Sequence, residues 1–111
     1  MDIMQTTSNN ATAKRLSQMA KLYERQQASD VMTRTLEKLI DYETETSREL
    51  LGQLQRDLTG FEEQYGLSSE EFFRQFEAGK MGDDMDFIEW ASLFQMAQNL
   101  QERVHLLTSE D

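Results

Sequence analysis

Residues 50–72 read LLGQLQRDLTGFEEQYGLSSEEF, and they contain the end of one helix and the start of another. Apolar side chains recur at gaps of three and four, which is the spacing of a coiled-coil-like stripe on one helix face. The stripe consists of Leu50, Leu51, Leu54, Leu58, Phe61 and Tyr65. Gly66 follows it and can adopt the left-handed conformation that closes a helix. The stretch therefore predicts a long helix that ends at Tyr65.

The next residues form a helix start signal. Ser68 can accept a hydrogen bond from the free amides of a first turn, and Glu71, three residues later, can reach back to the backbone of Ser68. Leu67 is spaced to pack on Phe72. This combination of a capping box and a hydrophobic staple predicts a short helix that runs to Ala78.

Upstream of the stripe, the apolar positions between Ala13 and Gln27 follow helical spacing and predict a first helix. Ser29 or Asp30 then offers an N-cap oxygen for a second helix. Because no proline or glycine interrupts the chain before Gly52, we expect one helix from about Asp30 to Tyr65. The stretch Asp41–Glu49 within it is nearly all polar.

Downstream, a last helix is expected from about Asp86 to Leu107, because its apolar residues keep a period near 3.5. They are Phe87, Trp90, Leu93, Phe94, Ala97, Leu100, Val104 and Leu107. This helix should pair with the stripe of the long helix and form a helical hairpin. The expected fold is all-α: a long coiled-coil-like helix, a short helix and a C-terminal helix. At ~1.5 Å per residue the long helix spans roughly 50 Å, so we expect a homodimer to cover its stripe.

The chain divides into three predicted parts. Residues 1–11 are polar and unpatterned, and we expect a flexible tail there. Residues 12–49 form an N-terminal helix pair for dimerisation or DNA contact. Residues 50–111 form an acidic C-terminal helical hairpin that binds a partner.

The net charge of -10 is distributed unevenly over the 111 residues. Residues 1–39 carry six basic and four acidic side chains, or +2, whereas residues 40–111 carry five basic and seventeen acidic ones, or -12. An acidic surface attracts a basic protein and repels nucleic acid. The alternative is that these charges only solvate helix faces.

Catalytic, cofactor and metal sites have little support. The chain has no cysteine and one histidine, His105, whose Glu-x-x-His spacing with Glu102 has no second copy for a di-iron bundle. The acids between Asp83 and Glu89 are too closely spaced for a calcium loop, and they suit helix capping instead. We expect no enzyme activity, no cofactor and no metal. No membrane span or signal peptide is expected either, so the predicted location is cytoplasmic.

Aromatic and acidic residues near the C-terminal turn are the candidates for partner binding, because aromatic side chains bury large areas at little entropic cost. The alternative is that most of the aromatic residues form the core of the hairpin. The candidate set is Phe72, Phe73, Phe76, Asp83, Asp84, Asp86 and Trp90.

Residues 65–90 resemble the C-terminal signature of small helical antitoxins of bacterial and archaeal toxin-antitoxin modules. The pattern is Phe76, Gly79, Gly82-Asp83-Asp84, Asp86-Phe87 and Glu89-Trp90. The resemblance implies an acidic antitoxin that wraps a basic, RNA-cleaving or RNA-modifying toxin and blocks its active site. It also implies that the protein can regulate its own operon.

The two predicted helices between Leu16 and Glu43, with the turn that joins them, are loosely similar to the helical part of ribbon-helix-helix regulators. Its candidate nucleic-acid contacts are Lys14, Arg15, Lys21, Arg25 and Arg34. Residues 1–12 lack the alternating strand such regulators place in a DNA groove, which weakens the DNA prediction.

Two functional hypotheses remain open after the sequence. The first is an antitoxin, and the second is a coiled-coil adaptor or assembly protein with neither a toxin nor nucleic acid as partner. A neighbouring reading frame for a small basic protein favours the first.

Overall fold

The computed structural model describes residues 3–109, and within that range it contains four α-helices and no strand. They are α1 (Ile3–Glu24), α2 (Asp30–Tyr65), α3 (Ser69–Glu77) and α4 (Met85–Thr108). The all-α prediction is confirmed. The chain forms two compact units, an N-terminal unit of residues 1–39 and a C-terminal unit of residues 40–111. This division falls earlier in the chain than the predicted boundary between residues 49 and 50.

Helix α1 begins at Ile3, well before the predicted start at Ala13. The part of the expected flexible tail that the structure describes, residues 3–11, is therefore helical, and residues 1 and 2 lie outside the described residues. Residues 3–11 have no apolar period, and such a period is expected only in a helix that buries one face. A solvated helix therefore gives no such signal in the sequence. This segment contains no proline or glycine to interrupt a helix.

Helix α2 has the predicted bounds, and local hydrogen bonds explain both ends. Ser29 is its N-cap, because the Ser29 Oγ accepts from the Met32 amide at 3.1 Å. At the other end Gly66 has a φ of +65°, and the amides of Gly66 and Leu67 both donate to the Glu62 carbonyl. This is the predicted glycine closure of the helix.

Helix α3 forms half of the predicted capping box. The Ser68 Oγ accepts from the Glu71 amide at 3.1 Å, as expected. The Glu71 carboxylate, however, accepts from the side chains of Arg74 and Gln75. A carboxylate from α2 contributes to this helix start instead, since Glu62 Oε2 accepts from the Ser69 amide at 2.9 Å.

The core of the C-terminal unit lies where α2, α3 and α4 meet. Its buried apolar residues are Leu54, Leu58, Phe72, Trp90, Ala91, Phe94 and Ala97. The leucines come from the stripe of α2 and the last four residues come from α4. The predicted packing of the last helix on the long helix is therefore confirmed.

On α2, this packing continues into the stretch Asp41–Glu49, which is nearly all polar in sequence. Thr44 and Ser47 are both buried, and they extend the spacing of Leu51 and Leu54 by alternate steps of three and four residues. Glu43 accepts from Arg103 of α4 at 2.5 Å beside them. The helical pairing thus includes a polar layer. Among the described residues, no helix combines the length and the hydropathy that a membrane crossing demands.

Candidate partner-binding site

Phe72 and Trp90, two of the predicted contact residues, occupy the centre of the core. Both have a relative exposure of 0%, and their rings stack with centroids 3.8 Å apart and planes 3° apart. Phe61 stacks on Trp90 at 5.5 Å. A side chain with no exposed surface cannot touch a partner in this conformation, so these two assignments are corrected to core residues. Both side chains have a large apolar area, and burying this area stabilises the hairpin. This is why Phe72 and Trp90 lie in the core and not at a surface for a partner.

Ser69 gives this aromatic core a polar contact that the sequence did not reveal. The Trp90 indole Nε1 donates to the Ser69 Oγ at 2.9 Å, and Ser69 is only 2% exposed. The Ser69 amide donates to Glu62 of α2. One serine thereby links α2, α3 and α4. Its only sequence signal was its place beside the N-cap Ser68.

Phe73 and Phe76 are the predicted aromatic contacts that remain partly open to solvent. One side of Phe73 packs on the core residue Phe94, with ring centroids 5.0 Å apart. Phe76 packs on Phe72 at 5.7 Å. Both are half-buried, so each retains surface that a partner can cover.

These two rings line a groove between α3 and α4. The groove has a volume of about 380 Å³, and its lining residues are Phe73, Phe76, Glu77, Ile88, Ala91, Ser92 and Gln95. Ile88, which lines the same groove, is 44% exposed. We call this feature the α3–α4 groove. Phe73 and Phe76 both keep part of their ring surface open to solvent in this groove.

The three predicted acidic contacts have different environments. Asp83 and Asp84 are exposed in the turn before α4, and Asp84 caps this helix by accepting from the Asp86 amide at 2.9 Å. Asp86 is half-buried, and its Oδ2 accepts from the Tyr65 hydroxyl at 2.6 Å. This hydrogen bond, together with burial and the nearby negative charge, raises the pKa of Tyr65 to about 12. Asp84 and Asp86 therefore both have structural roles, whereas Asp83 is exposed in the turn.

Glu71 and Arg74 form an exposed ion pair on α3. The hydrogen bonds from Arg74 and then Gln75 lower the pKa of Glu71 below its usual value. Since each charge already has an opposite neighbour, this pair adds little net field for an incoming protein. Glu77 lines the groove, and Asp83, Asp84 and Glu89 are further exposed acids in α4 and in the adjoining turn, where Lys80 carries the opposite charge.

The candidate nucleic-acid contacts lie in the N-terminal unit. Lys14, Arg15, Lys21, Arg25 and Arg34 are all exposed. Helix occupies the start of the described chain, where a ribbon-helix-helix regulator has its strand. DNA contact by these residues stays a prediction.

Within the described residues 3–109, no group of three or more histidine, aspartate or glutamate side chains is placed to hold a metal ion. His105 is exposed near the end of α4.

The chain matches no protein-family model, no curated protein and no solved structure. The resemblance of residues 65–90 to antitoxins therefore stays a prediction, and the α3–α4 groove is the site with the clearest physical basis.

Proposed function

We propose that this chain is a non-catalytic antitoxin, which binds a basic toxin through the α3–α4 groove and neutralises it. The observation that carries the proposal is the groove itself, where half-buried Phe73 and Phe76 lie open to solvent beside exposed acids. The resemblance of residues 65–90 to antitoxins supports the choice of a toxin as partner. Regulation of its own operon through the basic N-terminal residues is a secondary part of this proposal.

The chemistry of the groove selects the kind of partner. Two phenylalanines and Ile88 offer apolar contact between two helices, a shape that accepts the apolar face of another helix. Glu77 lies in the lining, and Asp83, Asp84 and Glu89 add further negative charge in the same helices and turn. A basic amphipathic helix matches both features.

The two kinds of contact should act on different rate constants. Exposed charges attract an oppositely charged protein over a distance near the Debye length, about 10 Å at 0.1 M salt, so they mainly raise the association rate. Aromatic side chains that become buried slow dissociation. Binding should therefore weaken with salt through slower association, while the aromatic contribution persists.

The first experiment identifies the partner from the native locus. The tagged chain is co-expressed with the neighbouring small reading frames, and the complex is analysed by mass spectrometry. We expect a basic protein that arrests growth when expressed alone and permits growth when this chain is present. A stable complex with a protein that has no effect on growth would favour the adaptor hypothesis.

The second experiment tests the groove with matched variants in stopped-flow binding to that partner. The double variant Asp83→Lys/Glu89→Lys, which keeps the N-cap Asp84 of α4, should slow association at low salt. The control Glu45→Lys/Glu49→Lys changes the net charge equally at exposed positions of α2, outside the groove. An equal effect of both double variants would show a general attraction and would contradict binding at the groove.

The aromatic contribution is tested with Phe73→Ala, which should speed dissociation. Val104→Ala is its control, since Val104 is a partly buried residue of α4 that does not line the groove. Thermal melts of both variants separate loss of folding from loss of binding. Unchanged dissociation of a folded Phe73→Ala protein would contradict the proposal.

The DNA part of the proposal has its own assay. A gel shift with the upstream region of the operon should show binding that falls in Arg15→Ala/Arg25→Ala. No shift at low salt would remove operator binding and leave the toxin-binding part in place.

A further inference from the structure

Buried apolar side chains occupy only one end of the hairpin of α2 and α4. Among residues 9–109, whose side chains the structure describes, all seven of them lie between Leu54 and Ala97. Leu51 and Leu100 pack against this core. We call residues 51–65 of α2, the whole of α3 and residues 85–100 of α4 the aromatic half. Its part of the α2 stripe is covered within one chain, and the homodimer expected from the sequence stays a prediction.

The other end of the hairpin has a polar interior. We call it the distal half, and it consists of residues 40–50 of α2 and residues 101–108 of α4. Its buried side chains are Thr44 and Ser47, and on α4 only Val104 and Leu107 are half-buried. The other apolar side chains of the distal half are exposed, and they are Ile40, Tyr42, Leu50 and Leu106. Burial of apolar surface therefore contributes little to the stability of this half.

A buried hydroxyl further weakens the closed form of the distal half. Thr44 is 7% exposed, and its Oγ1 has no hydrogen-bond partner among the described residues. A buried polar group without a partner destabilises the packing that encloses it. Separation of the two helices lets water reach the Thr44 hydroxyl, so opening removes this cost.

Glu43 and Arg103 form an ion pair that joins α2 to α4 in the distal half. The Arg103 Nη2 lies 2.5 Å from the Glu43 Oε2, and the two side chains are 55% and 35% exposed. An ion pair with this exposure stabilises a protein only slightly, and salt screens it. The distal half therefore has one weak electrostatic contact in addition to two half-buried apolar side chains.

We propose that the distal half opens as a unit while the aromatic half stays folded. In the open state residues 101–108 separate from α2 and lose helical structure, because packing supplies most of the stability of a helix in a protein. The seven core residues keep their contacts, since all of them belong to the aromatic half. The α3–α4 groove keeps its shape for the same reason. This inference is independent of the proposed antitoxin function.

Amide hydrogen exchange of the full chain, followed residue by residue by NMR, is the first test. The amides of residues 102–107 should have protection factors at least about tenfold lower than those of residues 90–97, because opening exposes only the first group. They should also share one value, as cooperative opening requires. Equal protection in both halves would overturn the proposal. Protection that rises gradually inward from Thr108 would also overturn it, because that pattern indicates simple fraying of the helix end.

The Thr44→Val variant tests whether contact with α2 controls the opening of α4. The substitution removes the hydroxyl without a partner, so it should raise the protection factors of residues 102–107 by about fivefold. Thr46→Val is the matched control at an exposed position of α2, and it should change them little. Protection factors that stay the same or fall in Thr44→Val would overturn the proposal.

The Ser69→Ala variant tests whether the two halves open separately. It removes the acceptor of the Trp90 indole, so it should lower the protection factors of residues 90–97 by about tenfold or more. Those of residues 102–107 should not change, since opening of the distal half leaves the contact between Ser69 and Trp90 intact. Ser92→Ala, at an exposed position of α4, is the control and should change neither group. An equal loss of protection in both groups would overturn the proposal, because the hairpin would then open as one unit.

Discussion

Trp90 of α4 stacks face to face on Phe72 of α3, with ring centroids 3.8 Å apart and an angle of 3° between the planes. Neither side chain has exposed surface. This contact helps to attach the short helix α3 to the hairpin of α2 and α4, together with the Trp90–Ser69 hydrogen bond and the packing of Phe73 on Phe94. The α3–α4 groove depends on this attachment, because Phe73 and Phe76 have their positions only while α3 stays packed.

Removal of the Phe72 ring should destabilise the C-terminal unit strongly. Phe72→Ala leaves a cavity against Trp90, and truncation of a buried phenylalanine costs about 3 to 5 kcal/mol. Urea denaturation followed by circular dichroism measures the free energy of unfolding. Phe73→Ala is the control and should cost clearly less, since the Phe73 ring is only half-buried. Equal losses would mean that Phe73 is as important to the core as Phe72.

Substitution of Ser69 should show how much the polar contact to the aromatic core contributes. Ser69→Ala leaves the buried Trp90 Nε1 without its acceptor, which should cost about 1 to 3 kcal/mol. Ser92→Ala is the matched control on an exposed position of α4, and it should change the free energy of unfolding little. Trp90 is the single tryptophan, so its fluorescence reports the same change. A stable Ser69→Ala variant with unchanged fluorescence would contradict this role.

The hydrogen bond between Tyr65 and Asp86 should make stability depend on alkaline pH. Because the pKa of Tyr65 is raised from 10.0 to about 12 in the folded chain, the neutral phenol is favoured by folding. The resulting stability is fully present below pH 10 and is lost as the pH rises through about 12. Ultraviolet titration of the three tyrosines should show one late transition that Tyr65→Phe removes and Tyr42→Phe retains. A late transition that survives in Tyr65→Phe would contradict the assignment.

Thr44 offers a substitution that should increase stability. Its Oγ1 is buried and has no hydrogen-bond partner among the described residues. Thr44→Val replaces this hydroxyl by a methyl group of similar shape, and it should raise the free energy of unfolding by about 1 kcal/mol. Thr46→Val is the control at an exposed position of the same helix, where no gain is expected. A loss of stability in Thr44→Val would show that the hydroxyl has a partner in solution.

Local sequence signals were sufficient for both ends of α2 but not for the start of α1. The bounds of α2 were predicted correctly, because Ser29 and Gly66 act on their immediate neighbours through backbone hydrogen bonds. The pairing of α2 with α4 was also predictable, since each helix carries a continuous apolar period. The start of α1 was missed because a solvated helix needs no such period.

Tertiary structure alone decided which residues of the aromatic cluster are buried. Phe72 and Phe73 are adjacent and chemically identical, yet only the ring that meets Trp90 is fully enclosed. The same holds for Ser69 and Thr44, whose burial depends on neighbours distant in the chain. Sequence determines which side chains share a helix face, because helical geometry is local. The depth of each face in the core depends on how three helices meet, and no short stretch of sequence contains that information.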